Sequence, residues 1–136
     1  MKKDVIVLAD IGGTHARFAR FQGGRMEGAQ KLRAGDYPSF LACLEAYGGA
    51  PGSLYVAAAG NRLRKPNQYN HWIVEREPLE QAGWRVAPFV NDFRASAQGI
   101  VALDAAGLTA LRPGLPAPDQ PRALLGPGTG LGLAYI

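Results

Sequence analysis

Cysteine is all but missing from this chain of 136 residues, with Cys43 standing alone. One thiol excludes an internal disulfide and a multi-cysteine metal centre, and within a helical pattern Cys43 reads as a small buried apolar residue. Long apolar runs are missing as well. The run that begins at Val5 is broken by Asp10 and ends at Gly12, far short of the roughly 20 residues a membrane-spanning helix needs. No small-residue cleavage site follows a long apolar core, so a cytoplasmic protein with no membrane partner is expected. Repeats and low-complexity tracts are also absent. The net charge is +4, from 15 basic and 11 acidic side chains, but the tightest basic group is only Arg62, Arg64 and Lys65 beside Pro66. With neither a long basic stripe nor a nucleic-acid-binding module, nucleic acid is not an expected partner, and a protein that handles anionic phosphates accounts for the mild excess. A chain of this length buries about two thirds of its unfolded surface in one core, so a single domain without staples suffices.

What is present divides cleanly. Residues 5–11 form an apolar run in which Asp10 is the one polar residue, the pattern of a strand covered on both faces. Residues 15–21 alternate, Gln22-Gly23-Gly24-Arg25 makes a turn, and 26–33 returns as a third strand. Phe40, Leu41, Leu44 and Tyr47 recur at helical spacing within 38–47, with Ser39 at the start and Gly48-Gly49 as the stop. A buried strand is expected at 54–59, a loop at 61–72, a short helix at 78–82 ended by Gly83, a strand at 85–90 and a helix from Asn91-Asp92 to Leu103. Four prolines between 112 and 121 mark an exposed connection, and 123–125 and 131–136 flank a glycine turn as strands. Strands first, then alternating helices and strands, predict an α/β domain with a mixed sheet. The chain stops in an apolar strand, Leu133-Ala134-Tyr135-Ile136, where a polar end is usual, so a longer protein is expected to continue here.

Three places carry candidate chemistry. In Asp10-Ile11-Gly12-Gly13-Thr14 the two glycines let the backbone bring N–H groups close to an anion. Thr14 adds a hydroxyl and Asp10 could hold a hydrated Mg²⁺. A plain glycine hairpin with Asp10 capping its own turn is the other reading. No Walker A loop or GxGxxG motif is present. At Val90-Asn91-Asp92-Phe93 a carboxylate sits where a strand passes into a helix, a place that faces the cleft at the carboxyl end of an α/β sheet. Asp92 there suits a general base that takes a hydroxyl proton, with Asn91 orienting the same substrate; N-capping is the alternative. The third place, Gly126-Pro127-Gly128-Thr129-Gly130-Leu131-Gly132, repeats the glycine-and-threonine design between apolar strands.

The order DIGGTHARF, NHW, NDF, GPGTGLGLAY resembles bacterial glucokinase, a family of the sugar kinase, actin and heat-shock ATPase superfamily, from about Val5 to the end. The resemblance implies an actin-like ATPase (ribonuclease H-like) domain and transfer of the γ-phosphoryl group of ATP to the 6-hydroxyl of glucose with Mg²⁺. It implies phosphate binding by Asp10, Gly12, Gly13 and Thr14 and by Gly128, Thr129 and Gly130, with Asp10 on the metal through water. It makes Asp92 the general base and Asn91 and Asp92 the sugar-binding pair. Residues 1–136 then correspond to the N-terminal lobe, ending near the hinge strand, with the C-terminal lobe as missing partner and a homodimer as one assembly. His15 stands where the family usually has Asn, Gly60-Asn61 where Gly-Pro is common, and Asn70-His71-Trp72 is one residue shorter than the usual Asn-x-x-Trp. The competing expectation is a non-catalytic actin-like module for sugar or phosphate binding or for assembly.

Overall fold

The computed structural model describes residues 5–59, 71–115, 117, 119–128 and 131–136. The expected loop at 61–72 lies almost wholly outside them. The chain divides into two compact units, one ending at Asp92 and the other running from Phe93 to Ile136.

The first unit is built on a mixed sheet. Strand β1 (Ile6–Ile11) runs antiparallel to β2 (His15–Gln22), and β2 runs antiparallel to β3 (Arg25–Arg33). On its other side β1 pairs in parallel with β4 (Ser53–Ala58), from Ile6↔Ser53 to Ile11↔Ala58. The strand expected at 85–90 is two short strands, β5 (Arg85–Val86) and β6 (Val90–Asn91), which both pair with β4, at Ser53–Leu54 and at Ala57–Ala58. The break falls at Ala87-Pro88-Phe89, where proline has no N–H to give the ladder.

Local chemistry explains the turns. Gly23 and Gly24 both have positive φ, at 62° and 84°, the requirement of a two-residue hairpin whose twist matches its strands. Between Phe18↔Gln30 and Arg20↔Glu27 the register slips by one residue, and Gly28, with φ 63°, takes the left-handed conformation of that bulge.

Alternation along β1 sends Val7, Ala9 and Ile11 to one face, where α1 (Phe40–Tyr47) covers them. Ser39 caps α1 by accepting a hydrogen bond from the Ala42 amide at 3.1 Å, and Gly48, with φ 82°, ends it. Phe40, Cys43, Leu44 and Tyr47, at the i, i+3, i+4, i+7 positions, are all buried. Burial pushes the Cys43 thiol up to about 11. Phe18 lies at the centre, stacked on Tyr47 at 5.1 Å and on Phe40 at 6.0 Å between ring centroids. Trp72 closes the far side of Phe40 and donates its indole N–H to the Tyr37 carbonyl at 2.9 Å. A short helix, α2 (Arg76–Gln81), adds Leu79 to the same core.

The second unit contains most of α3 (Asp92–Val101) and the antiparallel hairpin of β7 (Ala123–Pro127) and β8 (Leu131–Tyr135). The helix ends two residues before the expected Leu103, and Ala97 is its buried residue. No helix among the described residues is long and apolar enough to cross a membrane.

Truncating the central ring gives a direct test of this core. Phe18→Ala removes both stacking contacts and leaves a cavity, so unfolding in urea should show a loss of about 3–5 kcal/mol. A loss below about 1 kcal/mol would mean that the aromatic cluster does not organise the unit.

Candidate functional site

Because β1, β4 and β6 are parallel, their carboxyl ends share one edge of the sheet. Ile11 is level with Ala58, and Ala58 with Asn91. The turn after β1 and the junction after β6 therefore emerge on the same side, two strand spacings apart, or about 10 Å. This register brings Asp10, Gly12, Gly13 and Thr14 to the same edge as Asn91 and Asp92.

The Gly12-Gly13-Thr14 turn is closed by the Gly12 amide donating to the His15 carbonyl at 3.0 Å, while the Thr14 carbonyl accepts from Ala34 at 2.9 Å. The amides of Gly13 and Thr14 have no backbone acceptor among the described residues, and Thr14 is exposed. Neither Gly12 nor Gly13 has positive φ, and a Cβ on Gly12 would meet the His15 carbonyl at an ordinary 3.5 Å. Among the described residues nothing demands glycine at position 12, and its missing side chain leaves the backbone open on that side. The turn thus suits an anion better than a bare hairpin requires.

Asp10 points away from the α1 face and makes an ion pair with Arg17 across the β1–β2 ladder at 3.1 Å. Both side chains are about half exposed, so the pair contributes little to stability. At the other junction Asn91 donates its side-chain amide to Asp92 Oδ1 at 3.0 Å, which orients the carboxylate. Asp92 is the first residue of α3, where a negative charge also favours the helix dipole. No group of three or more His, Cys, Asp or Glu side chains that could hold a metal occurs among the described residues. A lone Asp10 fits Mg²⁺, which keeps several waters and takes one or two carboxylates beside substrate phosphates.

The second glycine turn divides by function. Gly126 and Gly132 are directly paired across β7 and β8, and a Cβ on either would run into the ring of Phe93. These two glycines make a flat seat for an aromatic side chain, a packing role that sequence spacing does not distinguish from anion binding. Gly128 is exposed at the tip, and Thr129 and Gly130 lie outside the described residues. A depression in the first unit lies elsewhere. It holds about 520 Å³ between Ser53, Tyr55, Trp84 and Arg85, at the start of β4 and so at the opposite end of the strand from Ala58.

His15 opens β2 directly opposite Arg33. Partial burial lowers its pKa below 6.5, and the positive charges of Lys31, Arg17 and Arg33 push the same way. Its signal in the sequence was the basic residue at every second position across the hairpin, which only the strand register converts into proximity.

Two measurements check this geometry. Gly132→Ala should overpack the Phe93 seat and destabilise the hairpin by about 1–3 kcal/mol in thermal unfolding; wild-type stability would mean the ring moves aside freely. For His15, the folded state resists protonation, so the fold pays nothing above the ordinary imidazole range and loses stability as pH falls below it. An NMR titration should give a midpoint under 6.5 that rises in Lys31→Ala; an unmoved midpoint would remove Lys31 as a cause.

Known proteins resemble this chain over nearly all of its length. A family model described as Glucokinase matches residues 7–136. The glucokinase of Pseudomonas paraeruginosa is 36% identical over 142 residues, covering 96% of this chain and 41% of its own length. That of Marinobacter nauticus is 34% identical over 140 residues, covering 96% and 44%. A solved glucokinase from an Antarctic psychrotroph superposes with a TM-score of 0.73 at 26% identity, over 97% of this chain and 46% of the other. The chain therefore spans less than half the length of these relatives. Its mixed sheet flanked by helices is the α/β architecture of the actin-like ATPases. On the match across residues 7–136 and the shared fold, this chain belongs to the glucokinase family.

Proposed function

We propose that the full-length protein transfers the γ-phosphoryl group of ATP to the 6-hydroxyl of glucose, and that residues 1–136 are its N-terminal lobe. The observation that carries this is the shared sheet edge: an anion-accepting turn and an oriented carboxylate end two strands apart. About 10 Å between them is room for a phosphoryl group and the hydroxyl that attacks it.

In this mechanism Asp92 is the general base. The 6-hydroxyl gives its proton to the Asp92 carboxylate as its oxygen bonds to the γ-phosphorus, and the bond to the β–γ bridging oxygen breaks to release ADP. Asn91 fixes the carboxylate through its 3.0 Å hydrogen bond and binds a neighbouring sugar hydroxyl. The Gly13 and Thr14 amides, with Gly12 leaving the approach clear, hold the transferring phosphate; Gly128, Thr129 and Gly130 form the second phosphate turn. Asp10 would hold Mg²⁺ through water, and the metal when bound neutralises the phosphate charge. The adenosine pocket and the rest of the sugar site belong to a C-terminal lobe, in keeping with the 41–46% coverage of the relatives. A cytoplasmic location follows from the substrates.

Asp92→Ala in the full-length protein should lower kcat for glucose by about 10²–10⁴-fold, the span that general-base catalysis supplies, while ATP still binds. Near-normal turnover in that variant would remove Asp92 from the base role.

A further inference from the structure

The hairpin of β7 and β8 sorts its side chains by size. Leu125, Leu131, Leu133 and Tyr135 lie on one face and are exposed, while Leu124, Gly126, Gly132 and Ala134 alternate with them on the other. Gly126 and Gly132 are directly paired in the ladder, and neither has positive φ, so conformation does not call for glycine at either place. Glycine inside a strand weakens it and often marks the close approach of another group. Here that group is the ring of Phe93, whose far end, centred on Cζ, occupies the space that a Cβ on either glycine would take. If covering α3 were the only need, a side chain the size of Leu124 on the same face would serve at both positions. Bare backbone under the ring makes a contact of another kind, because backbone cannot change rotamer to follow or avoid it.

Phe93 is the second residue of α3 and Asp92 the first. Their Cα atoms are about 3.8 Å apart across a planar peptide, and successive side chains on a helix diverge by about 100°. The ring goes to the hairpin and the carboxylate points elsewhere, yet a shift of one carries the other with it. No other aromatic occurs in α3, and one turn further on the helix has only the methyl of Ala97. Asn91 meanwhile donates to Asp92 Oδ1 at 3.0 Å. One chain neighbour thus orients the carboxylate and the other anchors the backbone that bears it.

We propose that Phe93 is a positioning residue for Asp92: seated on Gly126 and Gly132, it ties the start of α3, and the carboxylate there, to the second glycine hairpin. The inference rests on the base role given to Asp92 above; the seat is an independent observation. Gly126 and Gly132 then serve the base, and Gly128 at the exposed tip is left for the phosphate turn of that reading.

Steady-state kinetics of the full-length protein test this. Gly132→Ala should lower kcat for glucose by about tenfold or more, within the range that a small misplacement of a reacting group produces, with KM little changed. In an Asp92→Ala background the same substitution should lower the residual kcat by less than about twofold, because the group it misplaces is gone. A merely structural defect would lower kcat by the same factor in both backgrounds. Phe93→Leu removes the ring without crowding the hairpin and should show the same pattern, which keeps the test valid should Gly132→Ala disturb folding. Combined with Gly132→Ala, it should restore part of the kcat lost there, since the added methyl then has room. Gly99→Ala, which adds a methyl on α3 with nothing within 4 Å, should leave kcat unchanged. Equal factors in the two backgrounds, a matching loss in Gly99→Ala, or wild-type kcat in both Gly132→Ala and Phe93→Leu would overturn the proposal.

A second readout does not depend on catalysis. The NMR signal of the Asn91 side-chain amide reports its hydrogen bond to Asp92; it should shift in Gly132→Ala and stay in place in Gly99→Ala. An unmoved signal in Gly132→Ala overturns the proposal. A shifted signal together with near-normal turnover in Asp92→Ala removes the base role while the hold of Phe93 on Asp92 stands, so the two failures are separately visible.

Discussion

The parallel pairing of β1 with β4 is the constraint on which the first unit depends. Six consecutive residue pairs, Ile6↔Ser53 to Ile11↔Ala58, fix where both strands end. A slip of one residue would turn Val7, Ala9 and Ile11 out of the core and Asp10 into it. The packing of Phe18, Phe40 and Tyr47 against that face is therefore what holds Asp10 on the opposite face, within reach of Arg17. Position of the candidate site is a consequence of core burial one layer away.

The bulge at Gly28 shows the same economy. Tyr47 donates its hydroxyl to the Gly28 carbonyl at 3.1 Å, and Arg20 lies over the Tyr47 ring at 4.9 Å while donating to the Gly48 carbonyl at 2.9 Å. One aromatic at the end of α1 thus joins the helix terminus to the distal part of the hairpin. The part of the hairpin nearer the turn, with its basic residues, stays clear of these contacts.

Most elements were legible in the sequence because their signals are local. Alternation in β2, the capping Ser39 and the i, i+3, i+4, i+7 stripe of α1 each follow from a few neighbouring residues. The single expected strand at 85–90 failed at Pro88, where a missing donor outweighed the apolar pattern. Glycine was the weakest guide, since one residue type serves three physical ends here. Gly23 and Gly24 supply positive φ, Gly126 and Gly132 yield space to Phe93, and Gly12 does neither. Backbone φ and the neighbouring side chains separate these cases. The pairing of His15 with Arg33 was equally hidden, because proximity across a ladder depends on register rather than on spacing along the chain.

Cys43 was easy to place and has an unexpected practical side. It is fully enclosed by the core, and its thiol, raised to about 11, stays protonated at any pH where the protein would be handled. Thiolate is the reactive form, so the wild-type chain is silent towards maleimides and similar reagents. A cysteine introduced on the surface would then be the sole site to accept a fluorophore or spin label, with no need to remove the native one first.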